Sequence, residues 1–268
     1  EGVRTPSGLD ARNYGGLDGF PEIKQLFARY LEVDPEEIIV GGNSSLNMMF
    51  DAVCQCVTHG ASGGGRPWFG QPVSFLCPVP GYDRHFAICE HFGFRLVPVP
   101  MNEEGPQMDT VEELAGKDAT VRGIWCVPKY SNPSGAVYSD EVVRRLAAMP
   151  TAAADFRIFW DNAYAVHHLG SGPAPLLHIL EACKAAGNPE RVLMFASTSK
   201  ITFPGAGIAV IAGSRASMDW ARGRLGAQTI GPDKLNALRH LLFFKDMSGV
   251  LAHMARHAAL IAPKFAAV

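Results

Sequence analysis

Seven short apolar runs recur along the chain with helical patterns between most of them, and nothing else in the sequence restricts the fold as much. The runs are Ile38–Val40, Val73–Cys77, Arg95–Val99, Gly123–Val127, Arg157–Trp160, Val192–Ala196 and Ile208–Ala212. Helical segments are expected at Ser45–Val57, Arg84–Phe92, Asp140–Met149 and Pro175–Ala186. Continuous apolar runs suit strands covered on both faces, and strand–helix alternation suits crossover connections, hence a parallel sheet. One connection breaks the rule. Only about a dozen residues join Ala196 to Ile208, and they end in Pro204-Gly205-Ala206-Gly207, which is short for a crossover carrying a helix. The expected fold is α/β: a mostly parallel sheet with one antiparallel strand and helices on both faces. From Pro232 onward the chain reads as helical, over Leu235–Phe244 and Val250–Leu260.

The chain has 268 residues, 47% hydrophobic and 19% charged. A core of that size needs no disulfide or structural metal. With 24 basic and 26 acidic residues, net charge −2, there is no electrostatic footprint for nucleic acid. No apolar run approaches a membrane span. The six cysteines form no framework and read as reduced, buried thiols of a cytoplasmic protein. Metal is not expected: Cys54 and Cys56 diverge on a helix, His167 and His168 diverge on any regular element, and His253 and His257 lack the Glu of H-E-x-x-H. Gly60–Gly65 reads as a surface loop. The absence of an initial Met, and an end that falls inside a helical pattern, lead us to expect a piece of a longer chain.

In open α/β sheets, ligands sit beyond the carboxyl ends of the strands. Five loops there hold nearly all the unusual polar residues: Gly41-Gly42-Asn43-Ser44-Ser45, Pro78-Val79-Pro80-Gly81-Tyr82, Pro128 to Gly135, Asp161-Asn162-Ala163-Tyr164 and Ser197-Thr198-Ser199-Lys200. Singly, each is an ordinary turn, cap or solvated charge. Together they describe a site for an anionic, aromatic cofactor. Gly-Gly lets the backbone approach a phosphate, and the N–H groups of Ser44 and Ser45 open a helix whose dipole favours the anion. Tyr82 can stack on a ring, Asp161 can pair with a protonated ring nitrogen, and Tyr164 can donate to a ring oxygen. Lys200 is a primary amine able to form a Schiff base with an aldehyde. Pyridoxal 5′-phosphate has the matching parts.

With these motifs in this order, the sequence resembles the fold type I, pyridoxal-phosphate-dependent class I/II aminotransferases over nearly its whole length. Ser197-Thr198-Ser199-Lys200-Ile201-Thr202-Phe203 and Gly231-Pro232-Asp233-Lys234-Leu235-Asn236 resemble the aspartate aminotransferase group often labelled MocR-like. The resemblance implies the following roles. Lys200 bonds the cofactor and later shuttles the proton, and Asp161 keeps the pyridine nitrogen protonated. Tyr164 and Asn132 bond the phenolic oxygen, and Tyr82 stacks on the ring. Ser44, Ser45 and Ser197 bind phosphate. Tyr14, in Tyr-Gly-Gly-Leu-Asp-Gly, reaches the phosphate of the partner subunit in a homodimer with shared active sites. Lys234 is a weaker candidate for reaching across. The family's phosphate-pairing arginine is replaced by Ile208, and its carboxylate-binding arginine belongs to a C-terminal small domain beyond residue 268. Residues 1–20 are then an N-terminal segment serving dimer and site, 21–247 the large cofactor-binding domain, and 248–268 the start of a helix leading to the small domain. The Asn132–Pro133 bond is expected to be cis, because Asn132 must turn into the site directly after a buried strand.

The activity so implied is transamination between an amino acid, aspartate by the wording of the motifs, and a 2-oxo acid, 2-oxoglutarate. Two alternatives share the motifs: another enzyme of the same scaffold, such as a β-lyase or decarboxylase, and the effector domain of a MocR-type transcription regulator. A dinucleotide-binding oxidoreductase is set aside, since no G-x-G-x-x-G follows any strand.

Overall fold

A computed structural model describes residues 3–170 and 172–267. Eight strands form one sheet: β1 (Ile38–Val40), β2 (Ser74–Val79), β3 (Arg95–Asn102), β4 (Gly105–Pro106), β5 (Val121–Cys126), β6 (Arg157–Asp161), β7 (Val192–Ser197) and β8 (Ala209–Gly213). Their order across the sheet is β1-β8-β7-β6-β5-β2-β3-β4. The expected antiparallel strand is β8, paired antiparallel with both β7 and β1. The two-residue β4 adds a short antiparallel edge to β3, a pairing too brief to leave a hydrophobic run.

The helices are α1 (Pro21–Leu31), α2 (Ser45–His59), α3 (Asp83–His91), α4 (Met108–Lys117), α5 (Asp140–Ala148), α6 (Ile179–Ala185), α7 (Arg215–Gln228), α8 (Lys234–Phe244) and α9 (Met247–Ala266). Two apolar layers, one on each face, enclose the sheet. One gathers residues of α1, α4, α5, α6, α8 and α9 against Ile158, Trp160, Met194 and Val210. The other packs α2, α3 and α7 against Phe75, Trp125, Phe159 and Phe195. Strands β6, β7 and β8 are buried along their whole length, which is why their sequences show no polar alternation.

The Gly60–Gly65 loop departs from its expected exposure. Ala61 and Ser62 are buried, because Ser62 meets Ser217 at 3.0 Å and its carbonyl accepts from the buried Arg157. Gly60 has φ +82°, and a Cβ there would collide with the Gly65 carbonyl, so the loop closes only on glycine.

Candidate active site

The carboxyl ends of β1, β2, β5, β6 and β7 point to one rim, and each delivers at least one group there. Strand β6 ends in Asp161, 4% exposed. Its Oδ2 accepts from His85 Nε2 at 3.0 Å, while its Oδ1 is buried without a partner. His85 lies on α3, three residues after Tyr82 at the helix cap. It stacks flat on Trp125, ring centroids 4.6 Å apart, and meets the Tyr82 ring edge-on at 5.1 Å. One carboxylate oxygen is thus locked by an imidazole and the other is left bare. A buried acceptor without a partner costs about 1–3 kcal/mol, so this geometry suits a donor that arrives with a ligand.

Lys200 follows β7 on an exposed turn, its Nζ 5.0 Å from the centre of the Tyr164 ring. Burial and the Asp161 charge push the Tyr164 hydroxyl above its ordinary pKa, partly offset by the Asn132 side chain. The phenol therefore stays a protonated donor through neutral pH. Asn132 stands at the tip of a turn closed by Ser131 N–H to Ala136 O at 2.9 Å, and the Asn132–Pro133 bond is cis. Lys200, Asp161, Tyr164 and Asn132 thus converge from three successive strand ends, with Tyr82 half-buried beside them.

The anion end lies where β7 meets the β1–α2 loop. Ser44 caps α2 without a side-chain capping bond, so its hydroxyl is not spent on the helix. Ser197 is buried, its Oγ 3.1 Å from Ser199 Oγ, which in turn reaches the Asn43 carbonyl at 3.4 Å. Asn43 Nδ2 donates to Gly205 O at 3.2 Å, tying the two loops together. A Cβ on Gly207 would stand 3.1 Å from Thr198 Oγ1, 3.2 Å from Ser199 N and 3.4 Å from Asn43 O. Ile208 is 2% exposed and packs in the core, so that position directs no side chain to an anion. Serine hydroxyls and backbone N–H groups are donors there, the α2 dipole favours an anion, and Arg239 lines the same cavity.

Tyr14 is 82% exposed. Its neighbour Gly15 accepts from Lys234 Nζ at 2.7 Å, and Gly15 N–H donates to Ile230 O at 3.3 Å. Lys234 itself is 4% exposed. The expectation that it reaches outward is thereby corrected: its side chain is buried and ties the N-terminal segment to α8. Sequence reasoning also missed His85. Its signal was the three-residue spacing from Tyr82, which puts both on one helix face.

The donor set fits pyridoxal 5′-phosphate: a bare buried carboxylate oxygen for a ring N–H, an amine beside a phenol, and a hydroxyl-lined helix start for a phosphate.

The profile of the aspartate amino-transferase family matches residues 1–268. A Mycolicibacterium smegmatis protein named as an aminotransferase is 53% identical over the whole of this chain, which spans 63% of it. An aspartate aminotransferase of Corynebacterium glutamicum is 48% identical over 98% of the chain, which spans 61% of that protein. The crystal structure of an aspartate transaminase from the same species superposes with TM-score 0.94, covering 98% of this chain and 62% of that one. An α-aminoadipate aminotransferase of Thermus thermophilus, solved with N-(5′-phosphopyridoxyl)-L-leucine, shares the fold at TM-score 0.73 and 22% identity, over 92% of this chain and 59% of that one. The chain therefore spans less than two thirds of the length of these relatives.

Proposed function

The chain belongs to the aspartate amino-transferase family, and from that premise we propose a pyridoxal-phosphate-dependent transaminase working between aspartate and 2-oxoglutarate. The observation that carries the proposal is Asp161: one oxygen held by His85 and the other buried and bare, on the same rim as Lys200. The phosphopyridoxyl ligand of the Thermus neighbour supports the cofactor, and the name of the Corynebacterium relative supports aspartate.

Pyridoxal 5′-phosphate, when bound, supplies an aldehyde that condenses with amines and a protonated ring that draws electrons away from the substrate Cα. The chain's own groups do the rest. Asp161 Oδ1 would accept the ring N–H and hold that proton in place. Tyr82 would cover one face of the ring. Tyr164 and Asn132 would donate to the ring's phenolic oxygen. Ser44, Ser45 and Ser197, with the N–H groups opening α2, would hold the phosphate. Lys200 Nζ would bond the aldehyde and, as a free amine, take up the substrate Cα proton and hand it back.

Residues 21–247 form the cofactor-binding domain of this reading. Residues 1–20 present Tyr14 to the phosphate site of a second copy, giving a homodimer with shared sites. The six free cysteines suit a cytoplasmic protein. No described helix is long and apolar enough to cross a membrane.

Half-reactions test the proposal. Aspartate alone should convert the bound cofactor to its amine form with one equivalent of 2-oxo acid released, and 2-oxoglutarate should restore the starting spectrum. Release of ammonia or carbon dioxide instead would assign a lyase or decarboxylase and overturn it.

A further inference from the structure

The turn that carries Lys200 is a single helical turn that cannot continue. The N–H groups of Ile201 and Thr202 both donate to Thr198 O, at 2.9 and 2.8 Å. Four residues beyond Lys200 stands Pro204, which has no N–H, so the Lys200 carbonyl has no helical donor. By Gly205 the chain has entered a separate 3₁₀ turn, Pro204–Ala206, whose own bond runs from Ala206 N–H to Phe203 O. The carbonyls of Lys200 and Ile201 must find donors elsewhere.

Two imidazoles supply them. His167 Nε2 lies 3.2 Å from Lys200 O, and His253 Nε2 lies 2.9 Å from Ile201 O. Arg256 donates to His253 Nδ1 at 3.2 Å, which leaves Nε2 as the nitrogen that carries the proton. Burial holds His167 below the ordinary histidine pKa, against the pull of the Lys200 carbonyl. On the other side of the turn, His240 Nδ1 donates to Asn236 O at 2.9 Å, and its Nε2 faces the hydroxyls of Thr202 and Thr198 at 3.0 and 3.3 Å. Thr198 Oγ1 also accepts from Ile208 N–H at 2.9 Å. The braces come from the loop after β6, from α9 and from α8, so three separate elements fix one turn.

We propose that His167 and His253 are positioning residues for Lys200: by capping the two carbonyls that the interrupted turn leaves without helical donors, they set where its amine is delivered. The proposal rests on the reading of Lys200 as the cofactor-bonding amine. Neither imidazole needs to touch cofactor or substrate. His253 acts through the backbone; His167 does so too and also meets the Tyr164 ring edge-on, centroids 5.5 Å apart. A small displacement of a reacting group is enough to slow a positioned reaction.

The test uses the full-length protein, with His167→Leu and His253→Leu to remove each donor, and His167→Gln and His253→Gln to keep an N–H at that reach. One readout is the rate at which added pyridoxal 5′-phosphate becomes trapped on Lys200 by borohydride, quantified by peptide mapping. A second needs no cofactor: the acylation rate of Lys200 relative to Lys129 and Lys234 in the same molecules. Each Leu variant should slow trapping by about fivefold, the loss expected for one hydrogen bond, and should change the Lys200-to-Lys129 acylation ratio. The Gln variants should recover to within about twofold on the same scale. A merely structural role leaves that ratio unmoved. An unchanged ratio with unchanged trapping in both Leu variants, or Gln variants as impaired as Leu, overturns the positioning role while Lys200 keeps its own. A borohydride label that misses Lys200 in the unsubstituted protein overturns both.

Discussion

Asp161 illustrates how one residue acquires a task from its surroundings. His85 fixes Oδ2, Trp125 fixes His85, and Oδ1 is left for a donor. Asp161→Asn keeps the shape but loses the charge proposed to hold a ring proton, so turnover should fall roughly 10²–10³-fold, the range for removing one preorganised electrostatic partner. Wild-type turnover in a kinetic assay of that variant would refute the role. The cysteines give a second expectation. Burial pushes the thiols of Cys56, Cys89, Cys126 and Cys183 up to about 12 and raises that of Cys77 as well, whereas Cys54 is only half-buried. A thiol reagent at pH 8 should therefore modify Cys54 alone until the protein unfolds. Fast labelling of any second cysteine in the folded state would contradict the burial. The residues legible from sequence were those that end strands, because a strand end fixes both place and direction. Asp161 and Ser197 are of that kind, and Lys200 follows β7 by three residues. His85, His167, His240 and His253 were not legible in their roles. They act through other side chains or carbonyls, and only packing brings those together.

Among the elements, most strands and the helices after β1, β2 and β5 stood out because their apolar runs or turns are sharp. Helix α1 carries a readable period in Ile23, Leu26, Phe27 and Tyr30, all buried, but the Gly-rich stretch before it hides its start. Helix α7 buries only Ser217, Met218 and Ala221, so its stripe is too thin to read. Two expectations belong at this scale. Gly207→Ala puts a methyl against Thr198 Oγ1, Ser199 N and Asn43 O, crowding the place where β7 and the β1–α2 loop meet. Cofactor affinity should drop about tenfold, as for one hydrogen bond to a charged group, with little change in turnover at saturation; equal affinity by titration would show the cradle lies elsewhere. Asp18 joins α1 to α7 through Lys24 at 2.7 Å and Arg222 at 3.0 Å. Burial raises its pKa, but the two cations outweigh that and hold it below the usual carboxylate value. A depressed folded pKa gives stability that is complete above the unfolded pKa and lost as pH falls through the folded one. Asp18→Asn should therefore cost about 1–2 kcal/mol near pH 7. In denaturant melts the gap should close below about pH 4; a gap independent of pH would mean the ion pairs contribute nothing.

At the scale of the whole molecule, the fold was legible because alternation of strand and helix admits few topologies, and one short connection marked β8 as the reversed strand. What no sequence pattern of a single chain displays is whether a second copy completes the site. Tyr14 is exposed, on a segment that Lys234 and Ile230 hold by both polar groups of Gly15. If it serves the partner, mixing Tyr14→Phe with Lys200→Ala subunits should yield heterodimers with one intact site, and random exchange should restore roughly a quarter of full activity. No recovery in dimers shown to have exchanged would assign Tyr14 to its own subunit.

Lys200, 5.0 Å from the Tyr164 ring centre and on the same rim as Asp161, is the amine proposed to bond the cofactor. Borohydride reduction of the protein with pyridoxal 5′-phosphate, followed by peptide mapping, tests it most directly. The phosphopyridoxyl mass should fall on the peptide carrying Lys200 and be lost in Lys200→Ala. The same mass on Lys129 or Lys234, with Lys200 unmodified, would contradict it.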